Sequence, residues 1–426
     1  MPRFEPFAAV RYEPDRVSLD DVVAPPYDVI GPDERERLAA RSPHNVVHVD
    51  LPRAEAGCDP YAVAGARFAE WLADGVLAVD ERPGFYVYRM GWRDESGRAG
   101  QTTGVIGALE LAPAGEHGVL PHERTMGKPK DDRLNLMRAT RANLSPIWGL
   151  SLASGLSALC EVSGPPLARH TDEEGVHHRL WPLDQPAVVA AVSETVASAP
   201  VVIADGHHRY ETALAYRDER AARTGGGAGD HDLVLAYLVE LTGDQLSIGP
   251  IHRLVAGLPP DFDPLASLAE DFEVVPDGGG PGSVPERSAR SGHERNGGSV
   301  PERNGGPELL GRMSAEGALA LVTTGGAWLL RPRPDRAGAR NGGEPDAGLL
   351  DRTLAGWPPH ETTYPHRAGD VLAAVAGGSA SAGLLLRPAT VEQIAGAARA
   401  GRRMPQKTTF FRPKPRTGLV FRRLAD

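Results

Sequence analysis

Asp205, His207, His208 and Arg209 stand within five consecutive residues, Asp-Gly-His-His-Arg. A carboxylate, two imidazoles and a guanidinium packed this closely suit the handling of a phosphate or a metal. The cation and the imidazoles meet an anion, and the carboxylate accepts a proton or orients a cation. The apolar run Val201 to Ala204 just before them reads as a short buried strand. Tyr210, Ala213, Leu214 and Tyr216 follow at helical spacing. A strand that turns through Asp205 and Gly206 into a helix leaves backbone N–H groups and a positive dipole end at the turn, which is an anion site. A purely structural role would make Asp205 a helix N-cap and the histidines a polar first turn. Folding does not need two histidines and an arginine there, so the functional reading is preferred.

A second constellation runs through His122, Glu123, Arg124, Thr125, Lys128, Lys130 and Arg133, just ahead of an amphipathic helix that begins near Asp131. A carboxylate here is a candidate general base for a substrate hydroxyl. Of 46 basic residues only four are lysines: Lys128, Lys130, Lys407 and Lys414. They fall in two short segments, and an ammonium is not interchangeable with a guanidinium at a shaped site. In the second segment Lys407, Thr408, Thr409 and Lys414 are placed to close over a phosphate. Tyr27 and Asp28 follow Pro25 and Pro26 in a rigid turn and are candidate substrate contacts. No GxxxxGK[ST] loop, GxGxxG fingerprint, HExxH or GxSxG motif is present. The triplet His177-His178-Arg179 has no apolar run before it and is expected at the surface.

The elements that position these residues alternate between helix and strand. Helices are expected from Pro32 to Ala40, from Pro60 to Leu77 and over 185–198. Strands are expected over Phe85–Trp92 and its partner Thr103–Leu111, and over Ile147–Leu152, Leu233–Leu241 and Ile251–Val255. Thr390 caps a helix over VEQIAGAARAG. The tracts near 276–307 and 332–346, where SVPER and RNGG recur, are too poor in apolar residues to offset ordering entropy and are expected to be disordered insertions.

With 426 residues and 41% hydrophobic content, two or three ordinary domains are expected. A net charge of −10 disfavours a polyanion-binding surface, and no nucleic-acid partner is expected. Cys58 and Cys160 are far apart and lack CxxC spacing, which fits a reducing compartment. The first residues carry no signal-peptide pattern, and the apolar run Val371 to Leu386 is too short to span a bilayer. A soluble cytoplasmic protein with no membrane partner is expected.

The segments PPYDVI, PHERTMGKPKDDRLNLMRATRANLSPIWGL, ADGHHRYETA and MPQKTTFFRPKPRTGLVF resemble the four signature blocks of the bacterial and archaeal family known as domain of unknown function 1015. They occur in that family's order and span nearly the whole chain outside the low-complexity tracts. The DGHHR box also resembles the phosphate-handling box of free serine kinases, which have the ParB/sulfiredoxin-like fold and transfer a nucleotide phosphate to L-serine. That resemblance implies an α/β, α+β mixed architecture. A ParB/sulfiredoxin-like core at 101–260 would lie between an N-terminal α/β region, 1–100, and a C-terminal one, 261–426. It implies a cytoplasmic phosphotransferase of serine biosynthesis making O-phosphoserine, with Mg²⁺ as cofactor and ATP or ADP as donor. Carried over by residue, Asp205 matches the kinases' catalytic Asp and would hold the metal or position the nucleophile. His207, His208 and Arg209 match phosphate contacts, with Gly206 in the same turn. Glu123 is the candidate upstream catalytic Glu, although about 80 residues separate it from Asp205. His122, Arg124, Thr125, Lys128, Lys130, Arg133 and Lys407 would bind phosphate or nucleotide, and Tyr27 and Asp28 the amino acid. The alternatives are phosphoserine dephosphorylation or reverse transfer at the same site, a non-catalytic nucleotide-dependent ParB-like binding module, and a metal-dependent hydrolase built on Asp205, His207 and His208.

Overall fold

A computed structural model describes residues 1–55, 57–93, 97–113, 116–121, 130–277, 306–333 and 345–425. The architecture is mixed α/β, as expected. The two tracts expected to be disordered lie almost wholly outside the described residues. The chain divides into two compact units. One comprises Met1–Ser247, Ala397–Gln406 and Phe411–Asp426; the other comprises Ile248–Gly396 and Lys407–Phe410. No described helix is long and apolar enough to cross a membrane.

The first unit is built on a nine-stranded mixed sheet. In space its strands run Val119–Pro121, Val201–Asp205, Ile147–Ser151, Leu233–Glu240, Ala99–Glu110, Phe85–Arg93, His177–Leu183 and Ala168–Thr171, and Phe4–Glu5 pairs onto Ala99–Glu110. The expected partnership of Phe85–Trp92 with Thr103–Leu111 is present as an antiparallel ladder, Tyr86 opposite Ile106 and Val87 opposite Val105. Val201–Asp205 lies antiparallel to Ile147–Ser151 and parallel to Val119–Pro121.

Successive strand residues face opposite sides of a sheet, so the two faces are read off alternate positions. One face is apolar. Phe85, Val87, Val105, Leu109, Ile147, Val201, Ile203, Val234, Ala236 and Leu238 form a continuous core there. Val192 and Val196 of helix Pro186–Ala197 and Tyr210 and Ala213 of helix His207–Thr224 close over it. Each buried Val, Leu, Ile or Phe among them contributes about 1.5–3 kcal/mol. The opposite face is aromatic and polar. Directly opposed residues give one row across five strands: Tyr86, Ile106, Tyr237, Trp148 and Asp205. Tyr88, two residues on from Tyr86, meets Tyr237 edge-to-face with ring centroids 5.1 Å apart.

The C-terminal strap from Phe411 to Leu424 lies on this unit. Phe411 packs on Trp148 at 5.6 Å, Thr417 pairs through its backbone with Ala24, and Phe421 with Val10. The Phe421 ring is buried against Tyr12 and Phe68. Arg422, also buried, donates to the carbonyls of Asp230 and Leu233.

In the triplet His177-His178-Arg179 only the outer two residues take the expected surface position. It is itself the start of a strand, His177–Leu183, and alternation leaves His177 and Arg179 exposed while His178 is fully buried. The absence of an apolar run before it was no guide, because the triplet belongs to the strand rather than following one.

The second unit carries a six-stranded antiparallel sheet in the order Phe272–Pro276, Gly326–Pro332, Leu319–Thr323, Ala382–Leu385, Arg253–Ala256, Glu361–Thr363. Leu319, Leu321, Leu330 and Leu384 belong to one core cluster, with Leu350 and Leu354 of helix Asp346–Leu354. Ala320, Val322, Leu329 and Leu385 belong to the other, with Val371 and Val375 of helix Ala368–Ala376. Thr390 caps helix Val391–Arg399 as expected: its hydroxyl accepts from the Gln393 N–H, and its own N–H donates to the Gln393 side chain.

Candidate functional site

Asp205 ends its strand and helix His207–Thr224 starts two residues later. The turn depends on Gly206, whose φ of 86° is a left-handed value that L side chains rarely adopt. Gly206, not Asp205, is the helix N-cap. The Asp205 carboxylate is therefore not used for capping. Its Oδ2 accepts from Arg209 Nη2 at 2.7 Å, and its Oδ1 is in a close ion pair with Lys414 Nζ. Burial pushes the Asp205 carboxyl up, but the charges of Lys414 and Arg209 outweigh it and hold the group well below the ordinary carboxylate range.

Arg209 folds back over the turn. Its Nη1 donates to Ser145 Oγ at 3.3 Å and to the Pro146 carbonyl. A Cβ on Gly206 would stand 3.0 Å from the Arg209 guanidinium carbon, so the missing side chain is also what lets the arginine reach Asp205. The first turn of an α-helix has N–H groups without intrahelical acceptors, and here the first such bond runs from Tyr210 N–H to the Gly206 carbonyl. His207 and His208 thus sit in the turn whose dipole end and cations favour an anion.

The turn Tyr27–Val29 and helix Lys130–Thr140 supply a second cluster. The guanidinium of Arg133, buried to 7% exposure, lies 4.3 Å over the Tyr27 ring. It also pairs with Asp132 at 2.6 Å and with the buried Asp50 at 3.1 Å. Burial raises the Tyr27 phenol, and the charge of Arg209 is the strongest influence opposing it, ahead of Arg133. Burial likewise raises Asp50 against the pull of Arg133 and Arg209. Tyr27, Asp50, Arg133 and Arg209 therefore share one electrostatic neighbourhood, in which Asp50 and Asp205 move in opposite directions. Asp28 is exposed at its edge.

The structure thus brings together Tyr27, Arg133, Asp205, Gly206 and Arg209, with Lys414 from the segment expected to close over a phosphate. Lys407 lies in the other unit, where its carbonyl accepts from Arg253 Nη1 at 3.0 Å. His122, Glu123, Arg124, Thr125 and Lys128 lie outside the described residues, and Lys130 opens helix Lys130–Thr140. Among the described residues no group of three His, Cys, Asp or Glu side chains is arranged to hold a metal ion. With each oxygen of Asp205 engaged by a side-chain cation, the carboxylate does not fit the expected role of anchor for Mg²⁺.

Sequence reasoning passed over a buried network beside the aromatic face. His178 Nε2 donates to Asp172 Oδ2 at 3.0 Å, and the Tyr88 hydroxyl donates to His178 Nδ1 at 2.7 Å. Arg416 donates through its backbone N–H to that same hydroxyl at 3.2 Å, and its Nη2 pairs closely with Asp172 Oδ2. His170 stacks on His178 at 5.6 Å and bonds Asp20 at 2.6 Å. Burial lowers His178 to about 4, with Asp172 opposing and Arg416 reinforcing the shift. The one signal in the sequence was period-two spacing, which puts His178 in line with the apolar Val176 and Leu180.

No curated relative matches the sequence. Among solved structures, a conserved hypothetical protein from Pyrococcus furiosus is 12% identical, with 71% of this chain and 90% of that one covered at a TM-score of 0.34. A free serine kinase in complex with AMP is 13% identical over 69% of this chain and 83% of its own, at a TM-score of 0.35. SbnI with a C-terminal truncation, from Staphylococcus aureus, is 10% identical over 74% and 85%, at 0.36. Likenesses this distant assign no residue. The family described as protein of unknown function, DUF1015, matches over residues 4–352, most of the chain, and the chain belongs to that family.

Proposed function

We propose that this protein is a small-molecule kinase that transfers a phosphoryl group from ATP or ADP to the hydroxyl of free L-serine, giving O-phosphoserine. The observation that carries the reading is the Asp205 carboxylate at a strand end, held between Lys414 and Arg209 beside the first turn of a helix. A carboxylate so placed fixes two cations at an anion-attracting turn. Phosphoryl transfer asks for little beyond such positioning and charge stabilisation. The sequence resemblance of the DGHHR box to that of free serine kinases supports the same choice, and with it a ParB/sulfiredoxin-like core over 101–260.

In this reading the bond from serine Oγ to phosphorus forms as the donor's terminal P–O bond breaks, and Glu123 takes the Oγ proton. Arg209, Lys414 and the helix N–H groups at His207 and His208 meet the charge on the transferred group. Lys128, Lys130 and Arg133 face the donor with His122, Arg124 and Thr125. Tyr27 and Asp28 meet the amino acid, the Asp28 carboxylate taking its ammonium. Asp205 acts as the anchor of Lys414 and Arg209. Mg²⁺ would arrive on the donor's phosphates and supply charge neutralisation there.

The test is incubation of the purified protein with Mg²⁺, L-serine and either ATP or ADP, with O-phosphoserine read by mass spectrometry. Phosphoserine that forms with wild type and falls at least about 100-fold in Asp205→Ala is the expected result. Glu123→Ala is expected to lose about 10²–10⁴ in turnover while still binding nucleotide. No phosphoserine with either donor, or near-wild-type turnover in Asp205→Ala, overturns the reading.

A further inference from the structure

Lys414 reaches Asp205 from a segment, Arg412-Pro-Lys-Pro-Arg416, that is more than two hundred residues away in sequence. Its place must be set by something other than local folding. The prolines on either side of Lys414 fix φ and donate no N–H, so the short run from Lys414 to Arg416 is stiff and direction is passed along it. At its far end Arg416 is held both by its guanidinium and by its backbone. Its guanidinium is paired with Asp172 and lies 3.4 Å from His178 Nε2, and its backbone N–H donates to the Tyr88 hydroxyl. The anchoring groups are themselves fixed: His178 is fully buried and bonded on both ring nitrogens, and Asp172 also accepts from the backbone N–H groups of Glu174 and Val176. In the spatial order of the sheet Asp205 is on the second strand and His178 on the seventh. The segment from Lys414 to Arg416 therefore lies across the aromatic face, with one cation at each end.

We infer that Arg416 is a positioning residue: its seat on Asp172, His178 and Tyr88 delivers Lys414 to Asp205. Its bearing on catalysis rests on the reading of Lys414, anchored by Asp205, as a contact to the transferred group, but its test does not. The 426-residue chain has only four lysines, so amine acetylation followed peptide by peptide reports Lys414 separately. In the wild type the ion pair and a side chain only 16% exposed make Lys414 slow to react. Arg416→Gln removes the charge that Asp172 holds and is expected to raise Lys414 acetylation about tenfold or more, as the loss of a buried charge-assisted bond implies. Arg416→Lys, which restores the charge without the planar fork, is expected to recover most of the protection. Asp205→Asn is expected to raise the Lys414 rate as well, and Lys407 is expected to keep its rate in all three variants.

An unchanged Lys414 rate in Arg416→Gln, with Lys407 also unchanged, overturns the inference. If circular dichroism shows that Arg416→Gln has lost its fold, Tyr88→Phe takes its place. That change deletes only the hydroxyl between Arg416 and His178, and it must raise the Lys414 rate several-fold for the inference to stand. A wild type that makes no phosphoserine would defeat the proposed reaction while leaving this result to be read on its own.

Discussion

Gly206 carries two demands at one position, and they can be separated. Its φ of 86° disfavours any L residue, by about 1–2 kcal/mol. Independently, an added Cβ would meet the Arg209 guanidinium at 3.0–3.1 Å. Gly206→Ala is therefore expected to cost more than the backbone term alone in wild type. In an Arg209→Ala background, where the neighbour is gone, only the backbone term should remain. Urea midpoints of the four proteins give the coupling directly. Equal costs in the two backgrounds would mean that Arg209 moves aside freely, and that Gly206 serves the turn and not the arginine. The box from Asp205 to Arg209 was legible in the sequence because its parts are contiguous and because strand, glycine and helix follow one another without interruption. Lys414 was visible as one of four lysines and as a residue to close over a phosphate with Lys407, Thr408 and Thr409. Its partner was not, since an ion pair between residues two hundred apart leaves no trace in spacing. Asp172, His178 and Arg416 were hidden for the same reason, and each stands in a polar stretch that reads as solvated until the strand alternation is known.

At the scale of elements, the strap from Phe411 to Leu424 joins pieces that sequence order keeps apart. Phe421 pairs with Val10 and packs its ring between Tyr12 and Phe68, while Arg422 satisfies the carbonyls of Asp230 and Leu233. The helices and strands that it binds were mostly legible. Apolar periodicity located Pro60–Ala73, Phe85–Arg93 and Leu233–Glu240 to within a few residues. The strap itself was not so located, because its few apolar residues are spread among prolines and arginines and do not repeat at either period. Its weight in the unit is measurable. Phe421 is fully buried, and Phe421→Ala is expected to cost about 3–5 kcal/mol by chemical denaturation, with Phe421→Leu costing clearly less. A loss below about 1 kcal/mol for Phe421→Ala would show that the strap rests on a unit that is already complete without it.

Over the whole molecule, each unit buries a histidine in its neutral form, and this sets how stability responds to acid. His178 in the first unit and His252 in the second are both lowered to about 4, burial being the leading cause in each. Around His178 stand Asp172, Arg416, Tyr88 and His170; around His252 stand Arg253 and His366. The bonding explains why neither takes a proton readily. His178 Nδ1 accepts from Tyr88, and His252 Nδ1 accepts from the Leu386 N–H at 3.1 Å, so protonation would cost each an acceptor. An unfolded histidine titrates near 6.5, so between pH 6.5 and 4 the unfolded chain binds protons that the native chain refuses. Stability is complete above pH 6.5 and is lost as pH falls through that window, by at most about 3 kcal/mol per histidine. Asp172 and Asp205 are lowered too, but an unfolded aspartate titrates near 3.8, so their contribution persists until the pH is lower still. Hydrogen exchange at pH 7.0, 5.5 and 4.5, corrected for intrinsic rates and read peptide by peptide, follows the two units separately. His178→Gln keeps a donor for Asp172 and removes the titration. It is expected to lower protection of the first unit at pH 7 and to flatten its loss toward pH 4.5, while the second unit keeps the wild-type slope. An unchanged slope in the first unit would mean that groups other than His178 govern its acid response.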